Sequence, residues 1–252
     1  MNKKTGQEGA GELPRQKSPG WLRLLIIPLT LLTITWIIHR TYTAHSSYLN
    51  RDFMSLYAGG YAVLEGLDPY DEAVWVPLRQ QLGSRWMPDP RAPFPLWTSL
   101  IMVPFALLTM EWAVAAWLTM SMALILVSVH LLLSLRPSTA LAPPALLLVV
   151  VAAFFTRGGL ASFNNGQLTA VLLAVLALFL FLESRGHSFA AGAAFSLVAL
   201  KPNPFLLFVP AVLLWLLLRR RFDILLGAVT MGLGLLALTW VLRPGWLFDW
   251  MA

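Results

Sequence analysis

Long apolar stretches alternate with short polar ones along this chain, and Pro, Gly or Arg marks most of the changes. The apolar stretches predict helices over 21–38, 96–110, 112–134, 144–156, 167–182, 189–201, 204–218 and 223–242. A bilayer crossing takes about 20 helical residues. The pattern therefore predicts an all-α, polytopic membrane helical bundle of about seven to eight membrane helices. The stretches near residues 100 and 150 are short for a full crossing, so they are expected to tilt, to thin the bilayer or to be partly re-entrant.

The polar positions are unevenly spread. Residues 1–20 carry Lys3, Lys4, Arg15 and Lys17 among Gly and Pro, the pattern of a disordered cytoplasmic tail ahead of a signal-anchor helix over 21–38. A cleaved signal peptide with a break near Ala44 is the less favoured reading, because the apolar core is long. Residues 21–252 form the membrane domain. Within it, 39–95 is one long external loop holding half of the acidic residues: Asp52, Glu65, Asp68, Asp71, Glu72 and Asp89 of 12 in all. Inside that loop, 52–66 predicts an amphipathic juxtamembrane helix with Asp52 as its N-cap, ended by Gly66. Asp68-Pro69-Tyr70 predicts a turn, and the prolines of 86–95 an extended, stiff stretch.

Composition agrees with a membrane setting. Hydrophobic residues are 58% and charged residues 12% of the chain, against roughly 45–50% and about 25% in soluble domains. The net charge of +6 comes largely from basic residues flanking apolar stretches. There they orient helices and meet anionic lipid headgroups, so the charge indicates membrane lipids and no nucleic acid as partner. The chain has no cysteine, which excludes disulfides and thiolate metal sites. Topology carries a conflict. A basic tail inside puts loop 39–95 outside, yet eight full crossings would put Arg219-Arg220-Arg221 outside too, against the positive-inside tendency. A re-entrant 96–110 or 144–156 removes the conflict and places 157–166 on the same side as Asp52.

Three places hold candidate chemistry. Asp52 lies where the first apolar helix meets water, and a carboxylate there either caps a helix or serves as a general base toward a partly lipid-dissolved substrate. Thr156-Arg157-Gly158-Gly159, followed by Asn164-Asn165-Gly166-Gln167, is either a Gly-rich connector or an anion site built from Arg157 and the N-terminus of the next helix. Lys201, in Leu200-Lys201-Pro202-Asn203-Pro204, either snorkels to the interface or holds the phosphate of a polyprenyl carrier. His39, His45, His130 and His187 have no metal-ligand spacing, and no metal or cofactor is indicated. Most of the 11 Trp read as interface belt residues.

The run Asp52-x4-Tyr57-Ala58-x7-Gly66-x2-Pro69-Tyr70-Asp71 resembles the first external loop of glycosyltransferase family 87, which has GT-C-type architecture. Pro93-Phe94-Pro95-Leu96 with Pro104-Phe105-Ala106 is similar to that family's proline-marked second helix. Asn165-Gly166-Gln167, Ala191-Gly192 and Leu200-Lys201-Pro202-Asn203-Pro204 resemble its Gly-Gln and Lys-Pro signatures. The resemblance spans roughly residues 50–220. It implies a cell-membrane hexosyltransferase, mannose foremost, with its catalytic loop outside. Such an enzyme moves sugar from a polyprenyl phosphate to a lipid or glycan acceptor with inversion. It implies Asp52 as catalytic base, Lys201, Arg157 and Gln167 toward the donor phosphate, and Tyr57, Asn165 and Tyr70 toward substrate. Members of the family usually continue further after the Lys-Pro region, so a truncated chain is expected here. The competing class is a membrane transporter or non-catalytic lipid-handling protein. Transporters place ionisable groups mid-membrane, and this chain gathers them in one loop.

Overall fold

The structure is a computed structural model that describes residue 39 and residues 46–85, 89–135 and 143–252. The predicted tail over 1–20 and first apolar helix over 21–38 lie outside the described residues. Among the described residues the secondary structure is helical and contains no strand. Eleven α-helices are described: α1 (Asp52–Leu64), α2 (Glu72–Gln81), α3 (Leu96–Ala106), α4 (Met110–Leu133), α5 (Pro143–Phe155), α6 (Arg157–Asn165), α7 (Thr169–Ser184), α8 (Ser188–Ser196), α9 (Phe208–Leu218), α10 (Phe222–Leu242) and α11 (Trp246–Met251). Two short 3₁₀ turns, Leu197–Leu200 and Asn203–Phe205, join α8 to α9.

Of these, α4 and α10 are long and apolar enough to cross a membrane, and α5 with α6 makes a third span if the pair, bent by 54°, counts as one. Helices α3, α7 and α9, and α8 with its 3₁₀ extension, are apolar but shorter. Three helices were not anticipated, α2, α6 and the short α11 (Trp246–Met251), and the first two have visible caps. In α2, Asp71 accepts from the Ala73 N–H and so caps a helix that contains Pro77. Helix α6 reads as a connector because of its glycines; the Thr156 side chain caps it by accepting from the Gly159 N–H. The turn at Asp68 forms as expected, its carboxylate accepting from the Tyr70 N–H at 2.8 Å.

The prolines of the Lys201 region decide how α3 docks. Pro202 and Pro204 have no N–H, so Pro202 cannot continue the 3₁₀ turn by serving the Ala199 carbonyl three residues back, and Pro204 cannot serve the Leu200 carbonyl four residues back. The backbone oxygens of Ala199 and Leu200 find donors elsewhere: the Trp97 indole N–H at 2.9 Å and the Thr98 hydroxyl at 2.7 Å. A buried carbonyl without a donor costs about 1–3 kcal/mol, so these two bonds pin the start of α3 to the break after α8. Helix α1 then packs antiparallel along α3. Gly59 and Gly60 face Ser99 and Met102 so closely that a Cβ on Gly60 would lie 2.7 Å from the Met102 carbonyl carbon. The α1–α3 pair leans on Trp117 of α4 through Phe53 and Phe105.

The remaining helices alternate between two ends. The Trp117 indole near the start of α4 donates to the Gly166 carbonyl just before α7 (2.9 Å), so α4 and α7 begin at one end. Helix α7 is 16 residues, about 24 Å long. At its far end Glu183 pairs with Arg221, which opens α10. Helix α10 returns, and Arg243 after it pairs with Asp68 of the loop and, at 2.9 Å, with Asp249. Trp246 follows into a fully buried position, stacked on Tyr70 and edge-on to Trp97. Arg219-Arg220-Arg221 and Asp68 of the loop thus stand at opposite ends, and the turn at 165–167 is at the end where α4 and α7 begin. Helix α3 runs beside α1 and is shorter than the helices that are long enough to cross a membrane.

Helices α8 and α10 cross at a pair of glycines. A Cβ on Gly192 would sit 1.8 Å from the Ile224 carbonyl oxygen, and one on Gly227 would sit 2.0 Å from that of Phe189. Only residues without a side chain let two backbones meet this closely. Further along α10, a Cβ on Gly232 meets nothing within 4 Å. Gly192→Ala is therefore expected to destabilise the detergent-solubilised protein by about 1–3 kcal/mol. Gly232→Ala is expected to stabilise it by about 0.5–1 kcal/mol through helix propensity. Thermal melts of the two variants check this, and an unchanged Tm for Gly192→Ala would refute the close crossing. A second expectation concerns the two ends. The chain has no native cysteine, and Ser47, Asn164 and Arg219 are all exposed. Single cysteines at Ser47 and Asn164 should react with an impermeant maleimide from the same face of the membrane, and one at Arg219 from the other.

Candidate functional site

Asp52 is the first residue of α1, and Arg51 takes the N-cap position with extended backbone and no capping side-chain bond. The carboxylate is therefore not a cap. It lies at the positive end of the helix dipole and accepts from the Gln167 side-chain amide N–H at 2.5 Å. The other end of that amide, Oε1, takes the Thr169 hydroxyl at 3.4 Å, so the amide N–H₂ faces Asp52. Among the described residues one carboxylate oxygen is held by a side chain and the other accepts from none.

The preceding residues explain how Gln167 gets there. Gly166 closes α6 in the left-handed conformation, with φ +65°. A Cβ on it would lie 2.5 Å from the Cβ of Phe53. Glycine meets both demands, the backbone angle and the close approach. On one side of Gly166, Asn165 accepts from the Arg51 guanidinium at 2.7 Å. The Tyr48 hydroxyl donates to the Phe163 carbonyl. Residues 48–53 and 163–167 are thus joined along their length.

Asp52 opens onto a cleft of about 290 Å³ lined by Ser55, Asp89, Pro93, Phe94, Lys201, Pro202 and Asn203. Ser55 follows Asp52 by three residues and shares its helix face. Lys201 comes from the break after α8, its ammonium 5.9 Å from the centre of the Phe94 ring, a cation–π distance. Among the described residues Lys201 makes no ion pair, so its charge is available to an incoming anion. The cleft therefore joins a fixed carboxylate to a cation, with a second carboxylate, Asp89, on the wall. Such an arrangement has groups complementary to hydroxyls and to an anion.

The other anticipated residues lie elsewhere. Tyr57 is buried, its hydroxyl donating to the Leu108 carbonyl at 2.8 Å. Tyr70 is buried under Arg243 and Trp246, its hydroxyl donating to the Phe94 carbonyl at 2.9 Å. Burial pushes both phenols above their ordinary pKa, which keeps them neutral donors. Neither lines the cleft; through Phe94, Tyr70 braces its wall. Arg157 is exposed at the first turn of α6, about 12 Å along the helix from Asn165. It is not among the residues lining the cleft.

Sequence reading did not give Asp89, Ser55, Phe94 or Asn203 a place in the site. Asp89 had one local signal. It stands between Pro88 and Pro90, and flanking prolines limit the backbone freedom of such a residue. The others are ordinary residue types whose place depends on the docking of α3 against the Lys201 break.

No curated protein and no solved structure matches the chain. The family model of glycosyltransferase family 87 matches residues 93–252. That stretch, well over half of the chain, contains Phe94, Gln167, Lys201 and Asn203 of the site, while Asp89 lies just ahead of it and Asp52, in α1, well ahead of it. With its apolar helices and this match, the chain belongs to glycosyltransferase family 87 and is a membrane protein that transfers sugar from a donor to an acceptor.

Proposed function

We propose that the chain is an inverting hexosyltransferase of the cell membrane. It takes its sugar, mannose foremost, from a polyprenyl-phosphate carrier and passes it to a hydroxyl of a lipid or glycan acceptor. The bundle has seven to eight membrane helices of GT-C type. Its Asp52 end faces outside, and Arg219-Arg220-Arg221 face the cytoplasm, as the positive-inside tendency requires.

One observation carries this reading: a cleft at the loop end holds Asp52, fixed by Gln167, together with Lys201, which among the described residues has no ion-pair partner. The acceptor hydroxyl approaches the oxygen of Asp52 that Gln167 does not hold, which takes its proton as the acceptor oxygen attacks C1 of the sugar. The bond from C1 to the phosphate oxygen breaks on the opposite face, so the anomeric configuration inverts. The bonding pair leaves with the carrier phosphate, whose charge grows from that of a diester to that of a monoester. Lys201 lies where that charge develops and stabilises it. The proton on Asp52 then passes to water. Gln167 is a positioning residue, since it acts through Asp52. Asn165 holds Arg51, and Arg157, away from the cleft, meets the carrier headgroup only at the surface. Tyr57 and Tyr70 shape the substrate site from behind.

The test is transfer of radiolabelled hexose from polyprenyl-phosphate hexose to endogenous acceptors in membranes. Asp52→Asn is expected to lower kcat by about 10²–10⁴-fold with little change in donor KM, the usual contribution of a positioned base. Turnover by Asp52→Asn equal to that of the parent protein would remove Asp52 from the reaction. Lys201→Met should raise donor KM and also lower kcat, because the charge it meets is larger in the transition state than in the donor. Gln167→Ala should lower kcat less than Asp52→Asn and leave donor KM unchanged; a loss confined to KM would place Gln167 on the substrate.

A further inference from the structure

The reaction above gives roles to Asp52 and Lys201 and leaves the second carboxylate of their cleft, Asp89, without one. Asp89 shortly precedes the wall residues Pro93 and Phe94. Two bonds pin this stretch to the turn at Asp68. The Ala92 N–H donates to the Pro69 carbonyl at 2.8 Å, and the Tyr70 hydroxyl donates to the Phe94 carbonyl at 2.9 Å. Among the described residues no group donates to Asp89. Its charge nonetheless has a counterpart behind the wall. Arg79 of α2 is fully buried, its guanidinium 5.7 Å from the centre of the Trp75 ring and donating to the Ser84 hydroxyl at 3.5 Å. Burial pushes Arg79 below its ordinary pKa, and the nearby charge of Asp89 acts against that shift. Arg79 in turn offsets part of the negative charge that Asp89 adds to the cleft, so an anionic donor meets less repulsion there.

We propose that Asp89 reads the hydroxyls of the transferred hexose and so sets which sugar the chain accepts. The inference rests on the hexosyltransferase reading above and assigns its donor specificity. In an inverting transfer the acceptor oxygen, C1 and the phosphate oxygen stand in line, with the base at one end and the leaving phosphate at the other. Asp52 and Lys201 line one cleft of about 290 Å³. The hexose is the unit that must lie wholly between them, since the acceptor extends beyond the base and the carrier beyond the cation. A further polar wall residue of that cleft therefore meets the hexose ring. An ionised carboxylate only accepts hydrogen bonds, and its two oxygens can take two neighbouring hydroxyls at once. A hydroxyl in the wrong configuration leaves one of those bonds unmade, and a charged acceptor makes that loss larger. Pro93 and Phe94 offer the ring apolar surface, which cannot distinguish epimers by hydrogen bonding. Discrimination then falls to the carboxylate.

The experiment measures binding to the full chain in nanodiscs that contain no acceptor. The probes are tritiated polyprenyl phosphate and its mannose, glucose and galactose esters, followed by esters of the preferred hexose that lack one hydroxyl in turn. The parent is expected to bind one hexosyl ester about tenfold or more tightly than the others, the worth of a hydrogen bond to a charged group. One deoxy ester should lose that advantage. Asp89→Asn should bind sugar-free polyprenyl phosphate as the parent does, yet no longer distinguish the three hexoses or that deoxy ester. Should Asp89→Asn fail to bind even polyprenyl phosphate, Asp89→Glu decides. It keeps a charge opposite Arg79 and displaces the oxygens by one methylene, so it should retain polyprenyl phosphate binding and lose the preference. No preference in the parent, or a preference kept by the variant that still binds polyprenyl phosphate, would overturn the proposal. So would loss of polyprenyl phosphate binding in both variants, the mark of a purely structural residue. Binding requires no turnover, so the two readings separate. A sugar preference that depends on Asp89 in a protein that transfers no hexose would leave this role standing and remove the transferase mechanism. Hexose transfer by Asp89→Asn with unaltered sugar choice would do the reverse.

Discussion

A backbone carbonyl in an apolar setting must find a donor, and the prolines after Lys201 deprive two of them. The oxygens of Ala199 and Leu200 turn instead to Trp97 and Thr98. Much of the site follows from that displacement. It holds the first turn of α3 against the break, and with it Pro93 and Phe94 of the cleft wall. Helix α1 lies on α3 through Gly59 and Gly60, so Asp52 arrives on the opposite wall. The same prolines stop α8 and expose Lys201 at a helix end, where a long charged side chain can leave the apolar layer.

A second set of contacts fixes the carboxylate itself. Residues 48–53 and 163–167 meet through Tyr48, Arg51 and Asp52 on one side and Phe163, Asn165 and Gln167 on the other. Gly166 makes this approach possible, and Trp117 locks its carbonyl. Two distant stretches of a helical bundle thereby present one hydrogen-bonded acid. Such rigidity suits a group that must meet a substrate at a set distance.

The C-terminal segment completes the enclosure from another direction. Arg243 reaches Asp68, and Trp246 fills the space between Tyr70 and Trp97. The Tyr70 hydroxyl in turn holds the Phe94 carbonyl. The end of α10 is thus linked, through two buried rings, to the cleft wall. Charge is segregated accordingly: the pair of Glu183 with Arg221 marks one end of the bundle, and the pair of Asp68 with Arg243 the other.

The amino-acid pattern alone determined that the chain is helical, where its apolar stretches lie and which few polar residues interrupt them. Those properties are local: helix length, proline position and the absence of period-two alternation are read along the chain. Helix α2 escaped because Pro77 sits within it, and α6 because Gly158 and Gly159 have low helix propensity; capping by Asp71 and Thr156 and packing on neighbours outweigh both. Only the tertiary structure decided that α3 lies beside α1, that the turn at Gly166 and the loop at Asp52 share one end, and that Tyr57 and Tyr70 face the core while Asp89 and Phe94 face the cleft. Each of these depends on which distant donor meets which acceptor, and on how closely two helices approach at a glycine. A one-dimensional pattern of polar and apolar positions contains neither distance.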